Sequence, residues 1–243
     1  MKAMLFAAGL GTRLKPWTDH HPKALALVNG KSLLQRNIEY LQQFGINEVI
    51  VNVHHFADQI IDAITQNEGW GSRITISDET DAVLETGGGL KKAAWYFEAE
   101  KDFVVMNVDI LTDMRLDDMI RRHEAEQPLA TLAVSGRTTS RYFLFDAASR
   151  LKGWRNVNSG EEKPAGLQSV KDYSLLQQKA FSGIHVINTG LFEAMKQEGK
   201  FSMVDVYLSL MDHYPIQCFD HSGARFIDVG KPESIAKAET WCS

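Results

Sequence analysis

The stretch that decides the fold is MLFAAGLGTRL, residues 4–14. It begins with an apolar run, typical of a strand buried on both faces. Gly9 and Gly11 follow at once, and a glycine pair after a strand lets backbone N–H groups turn toward a ligand. Arg13 adds a planar guanidinium that suits phosphate oxygens. The pattern predicts a phosphate-binding loop at the end of the first strand.

Two familiar phosphate-binding patterns do not fit this loop. A dinucleotide-binding fingerprint needs a third glycine where Leu14 stands, and Pro16 argues against a long helix that starts here. A P-loop needs glycine five residues before its Gly-Lys-Ser, and Leu25 occupies that place before Gly30. A nicotinamide-dependent oxidoreductase is therefore disfavoured.

Outward from the loop, strand-like and helix-like segments alternate as far as residue 135. The strand-like segments are 49–53, 74–77, 103–108 and 129–135, and the helical patterns lie near 33–41, 57–64, 89–97 and 116–124. Alternation of this kind argues for a parallel sheet whose ligands bind beyond the carboxyl ends of the strands. We therefore predict an α/β fold with a Rossmann-like, mostly parallel sheet flanked by helices.

Beyond residue 136 the pattern changes to short extended pieces separated by polar stretches. This change predicts a smaller antiparallel subdomain within a single domain that spans residues 1–243, because no linker or second core pattern is present. Two helical patterns, 203–214 and 232–241, close the chain around a strand at 225–229.

The charge, the apolar segments and the cysteines of the sequence limit the kinds of binding partner and cellular location to be expected. The 243 residues include 26 Lys and Arg against 31 Asp and Glu, so the formal net charge is −5 and no basic stripe for nucleic acid is present. We find no membrane segment. Cys218 and Cys242 form neither a disulfide framework nor a metal-binding pattern, which favours a cytoplasmic location.

A second cation follows the loop at a fixed distance. Pro22 fixes the backbone next to Lys23, about ten residues after Arg13. The string AAGLGTRLKP, followed by PKAL, resembles the opening signature of the sugar-1-phosphate nucleotidyltransferases. In that family the pattern is G-x-G-T-R-[LM]-x-P and then P-K-P-[LM], so Ala24 departs from the usual proline. The resemblance implies that Arg13 and Lys23 are catalytic and hold substrate phosphates.

A glycine-rich segment, LETGGGL at residues 84–90, opens the third helical pattern. Three glycines permit close approach of the backbone, and a helix N-terminus offers free N–H groups. The segment resembles the family's G-T-A-G turn, which cradles the base, with Glu85 in place of the first glycine. This variant is most similar to short uridylyltransferases that act on N-acetylmuramate 1-phosphate or related amino sugars.

Two aspartates end apolar strands far apart in the sequence. Asp109 follows the strand at 103–108, and Asp228 lies in FIDVGKPE at 226–233. A carboxylate at such a place needs a cation or hydrogen-bond donors, and Mg²⁺ held by carboxylates and phosphate oxygens would supply the cation. The alternative for Asp109 is a helix cap. The resemblance implies that both aspartates bind Mg²⁺ and that Asp109 is catalytic.

The resemblance also implies the remaining binding residues. Residues 1–135 would mainly bind the nucleotide, whereas residues 136–243 would mainly bind the sugar and complete the metal site. The expected nucleotide-binding residues are Ala7, Ala8, Gly9, Gly11, Thr12, Arg13, Glu85, Gly87 and Gly88. The expected sugar-binding residues are Asn107, Ser182, Gly183 and Lys163. Lys163 spells Glu-Lys-Pro with its neighbours, and the alternative register places Arg155 or Asn156 at this point of the motif.

The implied reaction joins a nucleoside triphosphate to a sugar 1-phosphate and releases pyrophosphate. UTP and an N-acetylated amino sugar 1-phosphate are the expected small-molecule substrates, with no nucleic-acid or membrane partner. A guanylyltransferase for mannose or heptose 1-phosphate, a cytidylyltransferase and a non-catalytic nucleotide-sugar binding subunit stay open as alternatives. The sequence leaves the oligomeric state open.

Overall fold

A computed structural model describes residues 1–167 and 173–241. The elements up to the middle of the chain are β1 Ala3–Phe6, β2 Leu27–Val28, β3 Lys31–Ser32, α1 Leu33–Gln42, β4 Glu48–Val53, α2 Ala57–Gln66, β5 Arg73–Asp78, α3 Glu85–Lys92, β6 Asp102–Asn107, β7 Ile110–Thr112, α4 Leu116–Glu126 and β8 Ala130–Ser135. The second half contains β9 Arg141–Phe145, β10 Leu151–Asn156, β11 Glu162–Lys163, β12 Gln177–Asn188, α5 Gly190–Ala194, α6 Met203–Leu210, β13 Ile216–Asp220, β14 Phe226–Asp228 and α7 Pro232–Trp241.

One large sheet runs through the described part of the chain. Strands β6, β1, β4 and β5 are neighbours in that order and pair in parallel. The long strand β12 pairs antiparallel with β6 and continues the sheet toward β9, β10 and β11, while β8 and β13 branch from it. The predicted α/β fold, with a parallel sheet flanked by helices and an antiparallel part, is confirmed. The antiparallel strands extend the same sheet.

Successive side chains of β1 pack into two apolar cores, one on each face of the sheet. Met4 and Phe6 pack with α3 and α6 residues on one face, whereas Ala3 and Leu5 pack with α1, α2 and α4 on the other. All four β1 residues are buried. Because a strand sends successive side chains to opposite faces, a strand covered by helices on both sides must be apolar throughout.

The third helix differs from the expectation. It begins at Glu85, ends at Lys92 and contains the three glycines, and a separate 3₁₀ turn follows at Ala94–Phe97. The sequence pattern predicts a helix over 89–97, which starts at the last glycine of the run. Glycine is required at position 88 of this helix, because a Cβ there would lie 2.3 Å from the carbonyl oxygen of Gly199, where no side chain fits.

Two short pieces position the site, and neither is obvious from the sequence. Strand β7 follows shortly after the end of β6 in the sequence, and β14 pairs antiparallel with β7. The register between β12 and β8 shifts between Phe181 and His185, which marks a bulge there. Among the described helices, none combines the length and the apolar character that a bilayer crossing requires.

Candidate active site

A cleft of about 260 Å³ opens at the carboxyl ends of β1 and β6. This is the edge of a parallel sheet at which ligands bind in α/β folds. The sequence-predicted residues that line the cleft are Ala7, Ala8, Gly9, Lys23, Glu85, Asn107 and Asp109. Residues from four separate segments of the sequence therefore meet in one place.

Gly11 positions the loop against the segment that carries Lys23. Its φ is +62°, in the left-handed region that favours glycine, and a Cβ there would lie 2.9 Å from Cγ2 of Thr18 and 3.1 Å from Cβ of Lys23. The Thr18 hydroxyl donates a hydrogen bond to the Gly11 carbonyl at 2.9 Å. Gly11 therefore helps to fix Lys23, and neither Gly11 nor Thr12 lines the cleft itself.

Each predicted cation meets one predicted carboxylate. Lys23 Nζ forms an ion pair with Asp109 Oδ2, and both side chains are largely buried. Arg13 Nη2 lies 3.8 Å from Asp228 Oδ1 in a more exposed pair. A Cβ on Gly230 would lie 2.6 Å from both Arg13 Nη2 and Asp228 Oδ1, so the glycine leaves room for this pair. The four charges sum to zero.

The two aspartates come together through the β7–β14 ribbon. Asp228 pairs with Ile110, the residue after Asp109, and the Val229 N–H donates to the Asp109 carbonyl at 2.8 Å. Burial raises the pKa of the Asp228 carboxyl, and the charge of Asp109 raises that pKa further. Asp228 Oδ1 is buried and has no hydrogen-bond partner among the described residues.

These two carboxylates fit a divalent cation. A carboxylate oxygen without a hydrogen bond, beside a second carboxylate, offers the hard oxygen ligands that such an ion prefers. Residues 1–167 and 173–241 contain no group of three or more acidic, His or Cys residues that could hold a metal without further ligands. A metal at this place would therefore take oxygen ligands from bound phosphate as well.

Two buried residues that sequence reasoning missed form the back of the cleft. Asn52 Oδ1 accepts the N–H of Ala7 at 2.7 Å and that of Ala8 at 3.4 Å, while Asn52 Nδ2 donates to Glu79 Oε1 at 2.8 Å. Both side chains line the cleft, and burial raises the pKa of Glu79. The signal in the sequence is an asparagine inside the apolar strand 49–53.

The glycine-rich turn faces the protein more than the cleft. Glu85 has a φ of +59°, a conformation in which glycine is unstrained, and its carboxylate lies 3.5 Å from Lys200 Nζ. The N–H groups of Gly87 and Gly88 donate to the carbonyl of Phe201 at 2.9 and 3.2 Å. These two predicted nucleotide-binding groups are therefore already occupied, and only Glu85 and Thr86 of this turn line the cleft.

The predicted sugar-binding residues separate into two groups. Gly183, with a φ of +71°, approaches so closely that a Cβ would lie 2.7 Å from Asn107 Nδ2 at the cleft. The Ser182 hydroxyl is buried and hydrogen-bonded to His221 Nε2 at 2.7 Å. Lys163 lies outside the cleft on β11, where it pairs with Asp205 at 3.0 Å.

The two alternatives to Lys163 also lie outside the cleft. Arg155 donates to the Tyr173 hydroxyl at 3.0 Å, and Asn156 Oδ1 accepts a backbone hydrogen bond from Asn158 at 3.0 Å. His185 on β12 is a packed strand residue, because it is buried and its Nδ1 lies 2.5 Å from the Tyr207 hydroxyl.

A glycine loop at the end of a parallel strand, with two cations and two carboxylates beside it, is typical of α/β enzymes that bind nucleotide phosphates. The chain matches the nucleotidyl transferase family over residues 2–241. It therefore belongs to that family, and its recognition as a sugar-1-phosphate nucleotidyltransferase is confirmed.

The named relatives of this chain are also nucleotidyltransferases. The chain is 29% identical to N-acetylmuramate alpha-1-phosphate uridylyltransferase of Caulobacter vibrioides, over 98% of this chain and 95% of the relative. It is 40% identical to the enzyme of the same name from Neisseria meningitidis over 114 residues, 47% of this chain and 49% of the relative. The crystal structure of HddC from Yersinia pseudotuberculosis complexed with GMP-PN superposes on this chain with a TM-score of 0.77 at 24% sequence identity. The match covers 100% of this chain and 99% of HddC, so the two proteins share the fold.

Proposed function

We propose that this protein transfers a uridylyl group from UTP to the 1-phosphate of an N-acetylated amino sugar. A phosphate oxygen of the sugar 1-phosphate attacks the α-phosphorus in line. The bond between the α-phosphorus and the bridging oxygen to the β-phosphate breaks, and pyrophosphate leaves with that oxygen. The carrying observation is the meeting of Lys23–Asp109 and Arg13–Asp228 beside the cleft.

The cations have different places in this proposal. Arg13 is the more exposed of the two and follows the glycine loop, so it binds the triphosphate and the departing pyrophosphate. Lys23 is held deeper, beside Asp109, where it lies between the α-phosphate and the incoming phosphate and lessens their repulsion. Such a reaction asks the protein mainly for positioning and for charge stabilisation.

Members of this family generally use divalent metal ions. We propose Mg²⁺ held by Asp109 and Asp228, which when bound neutralises charge on the transferring phosphate. The buried Asp228 Oδ1 without a hydrogen-bond partner supports this choice. Both aspartates keep a protein cation nearby, so the carboxylates stay close together before substrate binds.

The preference for uridine rests on the relatives and on the back of the cleft. Uracil presents one N3–H donor between two carbonyl oxygens, and the buried Glu79 carboxylate, beside Asn52, is one of the acceptors that line the cleft. A buried acceptor rejects a base that leaves it unpaired. Guanine also presents N–H donors, so guanylyl transfer is the second candidate, favoured by the same carboxylate.

The proposal assigns residues 1–135 mainly to the nucleotide and residues 136–243 mainly to the sugar and to completion of the metal site. It includes a cytoplasmic location, because nucleoside triphosphates are supplied there.

The test is pyrophosphate release with UTP, dTTP, GTP and CTP, each paired with a panel of sugar 1-phosphates including N-acetylmuramate 1-phosphate. We expect UTP to be used best, and Asp109→Asn to nearly abolish release while circular dichroism stays unchanged. A rate with GTP about tenfold or more above that with UTP would replace uridylyl with guanylyl transfer. No release from any pair by the wild-type protein would refute the reaction class.

A further inference from the structure

Arg137, just after β8, is a cation that the proposed reaction leaves without a role. Its Nη2 donates to the Phe181 carbonyl at 2.8 Å, and its guanidinium carbon lies 5.1 Å from the centre of the Phe226 ring. No carboxylate in the part of the chain that the structure describes forms an ion pair with it, and its buried Nε has no hydrogen-bond acceptor there. A partly buried cation in this state carries a desolvation cost that a bound anion would offset.

Two more buried polar atoms without a hydrogen-bond partner lie around the same ring. The His221 and Phe226 ring centres are 5.7 Å apart, and His221 Nδ1 has no partner among the described residues. Asp228, whose Oδ1 makes no hydrogen bond and has the distant ion pair with Arg13, lies two residues after Phe226 on β14 and so shares a strand face with it. We call Arg137, His221, Phe226 and Asp228 the Phe226 cluster.

The Phe226 cluster lies on the side of the site that carries the predicted sugar-binding strand. Phe181, which accepts the Arg137 hydrogen bond, directly precedes Ser182 and the bulge at Gly183. Arg13 approaches Asp228 from the glycine loop, whereas Arg137 comes from the end of β8. Burial lowers the pKa of Arg137, and the charge of Asp228 opposes that shift, which agrees with their proximity.

From this geometry we propose that Arg137 binds an anionic oxygen group of the acceptor sugar. The inference rests on the proposed function. Two groups share the required chemistry: the 1-phosphate, and a carboxylate on the sugar ring such as N-acetylmuramate carries. A guanidinium binds either group through two parallel N–H···O bonds. When the Ser182 hydroxyl donates to His221 Nε2, the imidazole Nδ1 carries the proton and is a further donor to the same anion.

The test compares Arg137→Gln and Arg137→Lys with the wild-type protein. The substrates are UTP with N-acetylglucosamine 1-phosphate or N-acetylmuramate 1-phosphate. Arg137→Gln should raise the KM for the acceptor about tenfold or more and leave the KM for UTP within about twofold. Arg137→Lys keeps the charge and should recover part of the loss. Arg141→Gln, a change at an exposed arginine on β9, is the matched control and should leave both KM values unchanged.

The two acceptors identify the bound group. An equal loss with both acceptors assigns Arg137 to the 1-phosphate, and a loss only with N-acetylmuramate 1-phosphate assigns it to the ring carboxylate. Unchanged KM values for both acceptors, or an equal rise in the KM for UTP, would overturn the proposal. Thermal melting checks the fold, and Arg137→Lys carries the test if Arg137→Gln does not fold.

Direct binding separates this inference from the proposed function. Isothermal titration calorimetry with the two sugar 1-phosphates and with inorganic phosphate needs no turnover. If the wild-type protein binds an acceptor without releasing pyrophosphate, the reaction assignment fails while the role of Arg137 is still decided by the Arg137→Gln titration. If the wild-type protein binds none of these three compounds, the Arg137 proposal fails.

Discussion

Asn52→Asp should make the free energy of unfolding depend steeply on pH. In the native protein, Asn52 Nδ2 donates to Glu79 Oε1 at 2.8 Å, and the side chains are 2% and 1% exposed overall. The substitution keeps the acceptor for the Ala7 N–H but replaces the donor to Glu79 with an oxygen. Two carboxylates at this distance cannot both ionise without cost, so the folded state must retain a proton on the pair.

The sign and size follow from proton linkage. Burial already raises the pKa of Glu79, and the new carboxylate raises the pKa of the pair further. In the unfolded chain both groups are ionised above about pH 5. The folded variant then holds one extra proton, so its free energy of unfolding falls by about 1.4 kcal/mol per pH unit as the pH rises. Between about pH 6 and pH 8 the variant should lose up to about 3 kcal/mol relative to the wild-type protein, the full value applying where the pair keeps its proton and wild-type Glu79 is ionised.

Urea denaturation at several pH values measures this difference. Asn67→Asp is the matched control, because Asn67 is exposed and its Nδ2 donates to the Ala63 carbonyl rather than to a carboxylate. That control should show no comparable slope. A difference between Asn52→Asp and the wild-type protein that is constant from pH 6 to pH 8 would refute the reasoning about a shared buried proton.

Two further predictions follow from the same contacts. Arg13→Ala should weaken UTP binding, whereas Lys23→Ala should lower kcat more than UTP affinity, because Lys23 acts where the two phosphates meet. Steady-state kinetics and equilibrium binding measurements separate the two effects. Wild-type values for either variant would remove that residue from the site. Gly88→Ala should destabilise the protein by about 1–3 kcal/mol through its clash with the Gly199 carbonyl, whereas Gly223→Ala, which meets nothing within 4 Å, should be nearly neutral in thermal melts.

Local sequence signals predict the parts of the fold that depend on local physics. The apolar run of β1 and the polar or glycine residues at strand ends require only side-chain periodicity and burial. The same logic places Asp109 and Asp228 at strand ends, and the β7–β14 pairing then brings them together. The Ser32 cap of α1 is also local, since Ser32 Oγ accepts the Gln35 N–H at 3.1 Å.

Long-range contacts decide what the sequence does not reveal. The N–H groups of Gly87 and Gly88 look free for a ligand until Phe201, more than a hundred residues later, provides a carbonyl acceptor. Arg137 carries no motif, and only the return of β14 brings Phe226 under its guanidinium. Lys163 matches a triplet of letters, but its position on the outer strand β11 follows from strand order, which periodicity does not encode.

The glycines of the motifs act largely through the protein's own site residues. Gly11 leaves room for Lys23, Gly183 leaves room for Asn107, and Gly230 leaves room for the ion pair at the second carboxylate. In each case a methyl group would displace a side chain that the proposed reaction needs. A glycine in such a motif therefore fixes the chemistry even where its own backbone touches no substrate, because catalysis by positioning depends on shifts of less than about 1 Å.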